Sequence, residues 1–198
     1  YFGEKFKDDK SFKNFFTNEL INNDLVSKLS NDILSKYKMY DENKIIVDKM
    51  PFNFKWIGLI KILFPKAKVI HSNRNPIDSA FSIYRNLFDT PGMGWAYNQD
   101  DLVKYVHLYI DLMLFWQKKL GKFIYECHYE SLVTNQIDET KKILEFCNLE
   151  FENKCINYTE NKTTVSTVSI SQARQKIYKS SVNLSGKYLD YFPFLNQV

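Results

Sequence analysis

A short hydrophobic strand that runs directly into a helix start constrains the fold of this chain more than any other feature. The strand is Lys68 to Ser72 (KVIHS), a β-branched run bounded by polar residues. Asn75 then suits an N-cap, Pro76 suits the first helical position, and Asp78 places an acid in the first turn. We therefore predict a strand, a tight turn and a helix that extends to about residue 88.

Hydrophobic spacing predicts further elements on both sides of this passage. Strands and helices alternate along the chain, which is typical of an α/β fold with a parallel sheet flanked by helices. Beyond about residue 150 the sequence is rich in Ser, Thr and Asn, and we expect ordered loops and short helices there. The other predicted elements are amphipathic helices within 1–40, a strand at 45–47, a helix at 54–64, a helix at 101–120, a strand at 122–129 and a helix at 137–146.

Length and composition favour one globular domain over residues 1–198, since 44% of the residues are hydrophobic. The net charge of +4 suits an anionic small ligand and falls short of a nucleic-acid binder. Three cysteines without C-x-x-C spacing indicate neither a disulfide framework nor a zinc site, so we expect a reducing, cytoplasmic setting. No apolar run is long enough for a membrane span, and no signal peptide is evident.

The turn between the strand and the helix carries Arg74, and Ser82 follows eight residues later. A strand end that opens into a helix start offers backbone N–H groups to an anion, and a guanidinium binds phosphate through paired hydrogen bonds. The residues alone also allow another interpretation, in which Arg74 pairs with Asp78 or another carboxylate while Ser82 faces the core. The sequence therefore predicts an anion site here without excluding a structural role.

Several motifs in order resemble the sulfotransferase superfamily, most closely the bacterial sulfotransferases that often carry tetratricopeptide repeats and the tyrosylprotein sulfotransferases. The resemblance covers residues 44–190 and leaves residues 1–43 as supporting helices. It implies a fold similar to P-loop nucleoside-triphosphate hydrolases and nucleotide kinases. The motifs are DKMPFNF at 48–54, LFPKAKVI at 63–70, RNPIDSAFS at 74–82, YESL at 129–132, and the late stretches SIS at 169–171 and YKSS at 178–181.

The resemblance implies that the chain binds 3′-phosphoadenosine 5′-phosphosulfate (PAPS), the sulfuryl donor, without a metal. It places Arg74 and Ser82 on the 3′-phosphate and Tyr129 beside the adenine. Lys49 matches the lysine near the bridging oxygen of the phosphosulfate, where an ammonium stabilises the leaving phosphate. Without the resemblance, Lys49 would be interpreted as a surface lysine and Tyr129 as a half-buried tyrosine at a strand end.

The late loop is implied to contact the phosphates of the donor. Ser171 and Lys179 are the preferred donors of hydrogen bonds, and Arg174 and Lys187 are the secondary ones. A loop rich in Ser and Thr with scattered lysines is also typical of a solvated surface.

The chain departs from the family pattern in three ways. The family opens with a strand and a Gly-containing loop that holds the 5′-phosphosulfate, and nothing before Lys49 matches it. Phe52 stands where small-molecule relatives have a catalytic histidine. Asn86 stands where a related class has another cofactor arginine, with Arg85 one residue away. We therefore expect a sulfotransferase fold that is truncated at its N-terminus.

The expected activity is transfer of a sulfuryl group from PAPS to a hydroxyl or amine. The acceptor is left open between a peptide tyrosine, a carbohydrate and a small molecule. The general base is also left open, and the titratable candidates are His71, His107, His128, Asp48 and Glu130. An upstream helical-repeat region or a homodimer is a further expectation. The alternative from another class is a non-catalytic domain that binds adenosine 3′,5′-bisphosphate (PAP) or a protein partner. A nucleoside kinase is disfavoured because no Gly-x-x-x-x-Gly-Lys-Ser/Thr loop is present.

Overall fold

The computed structural model describes residues 22–38, 45–88, 91–160 and 175–198. The chain folds as two compact units, Tyr1–Ala67 and Lys68–Val198. The first unit contains helix α1 (Asn23–Lys38), a 3₁₀ helix (Pro51–Trp56) and helix α2 (Ile57–Leu63). The first twenty-one residues, which include the first predicted amphipathic stretch, lie outside the described residues.

Helices α1 and α2 pack through a small apolar core made of Leu29, Leu59 and Leu63. The Ser30 hydroxyl adds a bond between the helices by donating to the carbonyl oxygen of Leu63 at 2.8 Å. Helix α2 ends before Pro65, whose ring cannot continue a helix, so the predicted helix at 54–64 is confirmed in type and in its end.

The strand predicted at residues 45–47 is wrong for the described structure. Ile45 to Val47 have no strand assignment, and the exposed fractions of Ile45, Ile46 and Val47 are 69%, 39% and 83%. A β-branched run becomes a strand only when a neighbouring strand pairs with its backbone groups. No described residue supplies that pairing.

The second unit shows the predicted alternation of strands and helices. After residue 150 the described chain consists of loops and short 3₁₀ helices, as the composition predicts. The elements of this unit are β1 (Val69–Asn73), α3 (Pro76–Tyr84), a 3₁₀ helix (Gly94–Tyr97), α4 (Gln99–Leu120), a 3₁₀ helix (Gly121–Phe123), β2 (Ile124–His128), α5 (Tyr129–Thr134), α6 (Gln136–Phe146), and 3₁₀ helices at Asn153–Cys155, Tyr158–Glu160, Ser185–Lys187 and Pro193–Gln197.

Strands β1 and β2 pair in parallel, which confirms the predicted parallel sheet, here of two strands in the described chain. Val69 pairs with Ile124 and Asn73 pairs with His128. Because side chains alternate across a sheet, His71 and Glu126 project on one face while Cys127 projects on the other. The chain is therefore an α/β protein with a small parallel sheet and flanking helices.

The start of α3 follows the predicted capping pattern. The Asn75 side-chain oxygen accepts a hydrogen bond from the amide N–H of Asp78 at 3.1 Å, and Pro76 is the first helical residue. The helix ends at Tyr84, before the predicted limit. The Asn86 side-chain amide donates to the Ser82 carbonyl at 2.7 Å and so satisfies a carbonyl of the last turn.

The core of the second unit lies between α3, α4 and the C-terminal 3₁₀ helix. The Phe81 ring stacks on Tyr188, with ring centroids 4.8 Å apart. This packing fixes α3, and with it the turn that carries Arg74, against the C-terminal segment. The buried core residues are Ala80, Phe81, Leu102, Val103, Val106, Phe194 and Leu195.

Among the described residues, no helix combines the length and the apolar character needed to cross a bilayer.

Candidate functional site

The carboxyl ends of β1 and β2 bring two predicted site residues together. Asn73 and His128 are paired at the last position of the two strands, so Arg74 and Tyr129 follow side by side at the same edge. The Arg74 guanidinium lies over the Tyr129 ring, 5.0 Å from its centroid, in a cation–π contact. In parallel α/β sheets, ligands bind outside the carboxyl ends of the strands, so this edge is the candidate site.

Arg74 is held by more than the aromatic ring. Its Nη2 donates a hydrogen bond of 2.7 Å to the carbonyl oxygen of Ser181, which lies 107 residues downstream. Its Nε is buried and has no acceptor among the described residues. About a quarter of the Arg74 side chain (24%) remains exposed, so these contacts hold the residue without burying it completely.

The structure also shows the carboxylate that the alternative interpretation requires. Asp78 Oδ2 lies 4.0 Å from Arg74 Nη2, one helical turn along α3. Asp78 is almost fully buried (1% exposed) and accepts hydrogen bonds from Asn183 and Ser185. Among the described residues, Arg74 makes a longer polar contact with this carboxylate than Asn183 and Ser185 do.

The helix start offers fewer free amides than the sequence predicts. The Asn75 N–H donates to Glu130 Oε1 at 3.0 Å, and the Asp78 N–H donates to the Asn75 side chain. Pro76 has no N–H to give. The expectation of unpaired amides is therefore wrong at Asn75 and Asp78.

Glu130 links the two strand ends through this bond to Asn75. It follows Tyr129 in the YESL motif, whose sequence indicates a strand end and nothing about this contact. A hydrogen bond between a carboxylate and a distant backbone amide leaves no signal in the local sequence, because any acidic residue that the fold brings near the turn could make it.

The other predicted site residues occupy different places. Ser82 is half-buried on α3, and its bond to Asn86 uses its carbonyl oxygen rather than its hydroxyl. Lys179 is exposed just before Ser181, and its carbonyl accepts from the Val182 N–H at 3.0 Å.

No described contact tests the roles implied for Lys49, Ser171, Arg174 and Lys187. Lys49 is exposed and belongs to the first unit. Ser171 and Arg174 lie outside the described residues. Lys187 is exposed in a 3₁₀ helix of the second unit. The roles implied for all four stay predictions.

A polar cluster lies on the face of the sheet that carries His71. The ring of His71 is hydrogen-bonded to the Tyr109 hydroxyl, and its Nδ1 lies 3.9 Å from Glu126 Oε1. Asn73 donates to the same carboxylate oxygen at 2.6 Å. Burial lowers the pKa of His71, partly offset by the charge of Glu126, and burial also raises the pKa of Tyr109.

The remaining titratable candidates for a general base have other surroundings. His107 and His128 are exposed, and Glu130 is bonded to Asn75. Asp48, in the first unit, accepts a hydrogen bond from the Tyr37 hydroxyl at 3.1 Å. Burial, followed by the charge of Asp48, raises the pKa of Tyr37. None of these contacts identifies which residue acts as the general base.

In the described part of the chain, no cluster of three or more His, Cys, Asp and Glu side chains is placed to bind a metal ion.

Comparison with known proteins bears directly on this site. The model of the family described as "Sulfotransferase family" matches residues 6–153, which include Lys49, Arg74, Ser82 and Tyr129. The match begins well before residue 44, where the motif resemblance begins, and it ends before the late loop. A protein of Aquifex aeolicus (strain VF5), described only as an uncharacterized protein, is 37% identical over 156 residues. That alignment covers 78% of this chain and 20% of the relative, so the chain spans about a fifth of the length of the relative it matches. The chain belongs to the sulfotransferase family.

Proposed function

We propose that this chain forms the nucleotide-binding part of a sulfotransferase that transfers a sulfuryl group from PAPS to a hydroxyl or amine acceptor. The observation that carries the proposal is the Arg74 guanidinium fixed over Tyr129 at the carboxyl ends of two parallel strands. Membership of the sulfotransferase family supports it. A P-loop-like arrangement of the complete sheet is part of the proposal.

Arg74 supplies the positive charge for the 3′-phosphate. A guanidinium gives a phosphate several charge-assisted hydrogen bonds, and here it is already oriented by the Tyr129 ring and the Ser181 carbonyl. Orientation before binding lowers the entropy cost of capturing the ligand. Ser82 contributes its hydroxyl to the same phosphate, and the half-buried Tyr129 contacts the adenine region.

The late loop supplies further contacts to the donor phosphates. Lys179 lies two residues before Ser181, whose carbonyl oxygen accepts a hydrogen bond from Arg74, so the chain at Ser181 reaches the same edge of the sheet. Ser171 joins Lys179 as a donor in the proposal, with Arg174 and Lys187 in secondary roles.

Lys49 acts in the transfer itself. In the proposed reaction, the acceptor oxygen or nitrogen forms a bond to sulfur while the bond between sulfur and the bridging phosphate oxygen breaks. The acceptor proton leaves to a base, and negative charge builds on the departing phosphate of PAP. The ammonium of Lys49 stabilises that charge more in the transition state than in the ground state, which lowers the barrier.

A second candidate is a non-catalytic domain that binds PAP. Phe52, three residues after Lys49, favours it because no group that removes a proton stands at that position. Both candidates require the 3′-phosphate site, and only the first requires sulfuryl transfer.

Two measurements on the purified chain separate these candidates. Calorimetry with PAP and with adenosine 5′-monophosphate tests the 3′-phosphate site, and the proposal predicts a clear preference for PAP. Incubation with PAPS carrying labelled sulfate and a mixture of phenol, sugar and amine acceptors tests the transfer. Label in any acceptor supports the enzyme, whereas PAP binding without transfer supports the second candidate, and equal affinity for both nucleotides contradicts both.

A further inference from the structure

A buried carboxylate in the first turn of α3 is bonded to a segment far away in the sequence. Asp78 Oδ2 accepts a hydrogen bond from the Asn183 N–H at 2.7 Å. Asp78 Oδ1 accepts two more from Ser185, at 2.8 Å from its N–H and at 2.6 Å from its hydroxyl. Only 1% of Asp78 is exposed; the two bonds from Ser185 are buried and the bond from Asn183 is partly buried. Charge-assisted hydrogen bonds are stronger away from water.

The backbone of the distant segment is shaped around this carboxylate. Asn183 has a φ of 53°, in the left-handed region that asparagine tolerates better than most residues, and Leu184 returns to the right-handed region. Successive residues of opposite handedness direct their N–H groups into one concave anion site. Here the anion is the carboxylate of Asp78.

The same segment also contacts the guanidinium of the candidate site. Ser181, two residues before Asn183, accepts the 2.7 Å hydrogen bond from Arg74, and Asp78 lies 4.0 Å from the same Arg74 nitrogen. The carboxylate and the guanidinium therefore contact neighbouring residues of one segment, and Lys179 lies two residues before Ser181. The carbonyl that contacts Arg74 therefore belongs to the same segment that Asp78 binds.

We propose that Asp78 is a positioning residue that holds residues 181–185 against α3 and thereby orients Arg74 for the 3′-phosphate. The ligand part of this inference rests on the proposed function. The holding of the segment rests on the geometry alone.

A purely local role for Asp78 in helix capping explains less of the structure. An acid in the first turn stabilises a helix through its dipole, but the N-cap position is filled by Asn75, and both Asp78 oxygens are used by the distant segment. A capping role predicts that a variant loses stability and loses affinity for every nucleotide to the same extent. A positioning role predicts a loss concentrated on the ligand that carries a 3′-phosphate.

The test compares Asp78→Asn, which removes the charge with little change of shape, with Ser185→Ala, which removes one of the three bonds. Glu139→Gln is the matched control, because Glu139 is another buried carboxylate, bonded to Lys142 on α6. Each variant is titrated with PAP and with adenosine 5′-monophosphate, and tryptic cleavage after Lys179 is timed by mass spectrometry in the absence of nucleotide.

For Asp78→Asn we expect PAP affinity to fall by about tenfold or more, since the lost bonds involve a charged group. We expect the affinity for the monophosphate to change by less than about twofold, because no 3′-phosphate contact is at stake. Cleavage after Lys179 should accelerate. Ser185→Ala should show a smaller effect on PAP, about threefold, and it decides the matter if Asp78→Asn does not fold.

Equal loss of both nucleotides overturns the positioning role, and so does a cleavage rate that stays at the wild-type value. If the wild type itself shows no preference for PAP, the proposed function fails. The cleavage rates of the variants and of Glu139→Gln then still decide whether Asp78 holds the segment.

Discussion

Arg74 belongs to the candidate site and also makes long-range contacts that stabilise the fold. The local sequence predicts its position at the end of a strand before a capped helix, and the structure confirms that position. Its contacts with Tyr129 and Ser181 depend on residues 55 and 107 positions away, which no local pattern encodes. The sequence therefore predicts the residue type and its turn, and the tertiary structure supplies its orientation.

The aromatic ring of Tyr129 should contribute to PAP binding through its contact with Arg74. Tyr129→Leu removes the aromatic face under the Arg74 guanidinium, and a cation–π contact contributes about 0.5–2 kcal/mol depending on solvation. We expect PAP to bind about threefold to tenfold more weakly, as measured by calorimetry. Tyr129→Phe keeps the ring and should bind PAP like the wild type, and a loss as large as that of the leucine variant would rule out the ring contact as the cause.

At the scale of elements, periodicity predicts the helices better than the strands. Helix α4 is confirmed because a long amphipathic pattern fixes both its type and its buried face. The run at 45–47 has the composition of a strand but no pairing partner among the described residues, so the same local signal gives an exposed segment. Pairing is a tertiary property, and composition alone does not report it.

The buried face of α4 should contribute strongly to the stability of the protein. Leu102 is fully buried between α3 and the C-terminal segment, so Leu102→Ala leaves a cavity and should lower the free energy of unfolding by about 2–5 kcal/mol. Chemical denaturation followed by circular dichroism measures the change. Leu108, on the same helix, is 68% exposed, and Leu108→Ala should change stability by less than about 0.5 kcal/mol. Similar losses in both variants would contradict the assigned buried face.

At the scale of the whole molecule, the α/β class and the family follow from the sequence, whereas the internal ties of the site do not. The motifs that carry Lys49, Arg74 and Tyr129 identify the family because each occupies a recognisable local context. Glu130 is hydrogen-bonded to Asn75, and Asp78 is hydrogen-bonded to residues of the 181–185 segment. These bonds join elements that share no sequence pattern, so only the folded structure reveals them.

Protonation of His71 gives a prediction for the stability of the molecule. Burial lowers the pKa of His71 in the folded state, so the folded protein binds fewer protons than the unfolded one near the ordinary histidine pKa. The free energy of unfolding should therefore fall as the pH drops through that ordinary pKa toward the lowered folded pKa. Urea unfolding between about pH 7 and pH 5 measures this loss.

His71→Gln is the control for this pH dependence. Glutamine still reaches the Tyr109 hydroxyl and does not titrate, so the variant should lose less stability than the wild type over the same pH interval. Identical pH profiles for the two proteins would show that the burial of His71 does not govern the effect.

Calorimetry with PAP on the wild type and on Arg74→Ala tests whether Arg74 holds a 3′-phosphate. Lys154→Ala is the control, since it removes one exposed positive charge outside the site. We expect the wild type and the control to bind PAP alike, and Arg74→Ala to bind PAP about tenfold to hundredfold more weakly because hydrogen bonds to a charged group are lost. Unchanged PAP affinity in Arg74→Ala would show that Arg74 does not bind the 3′-phosphate.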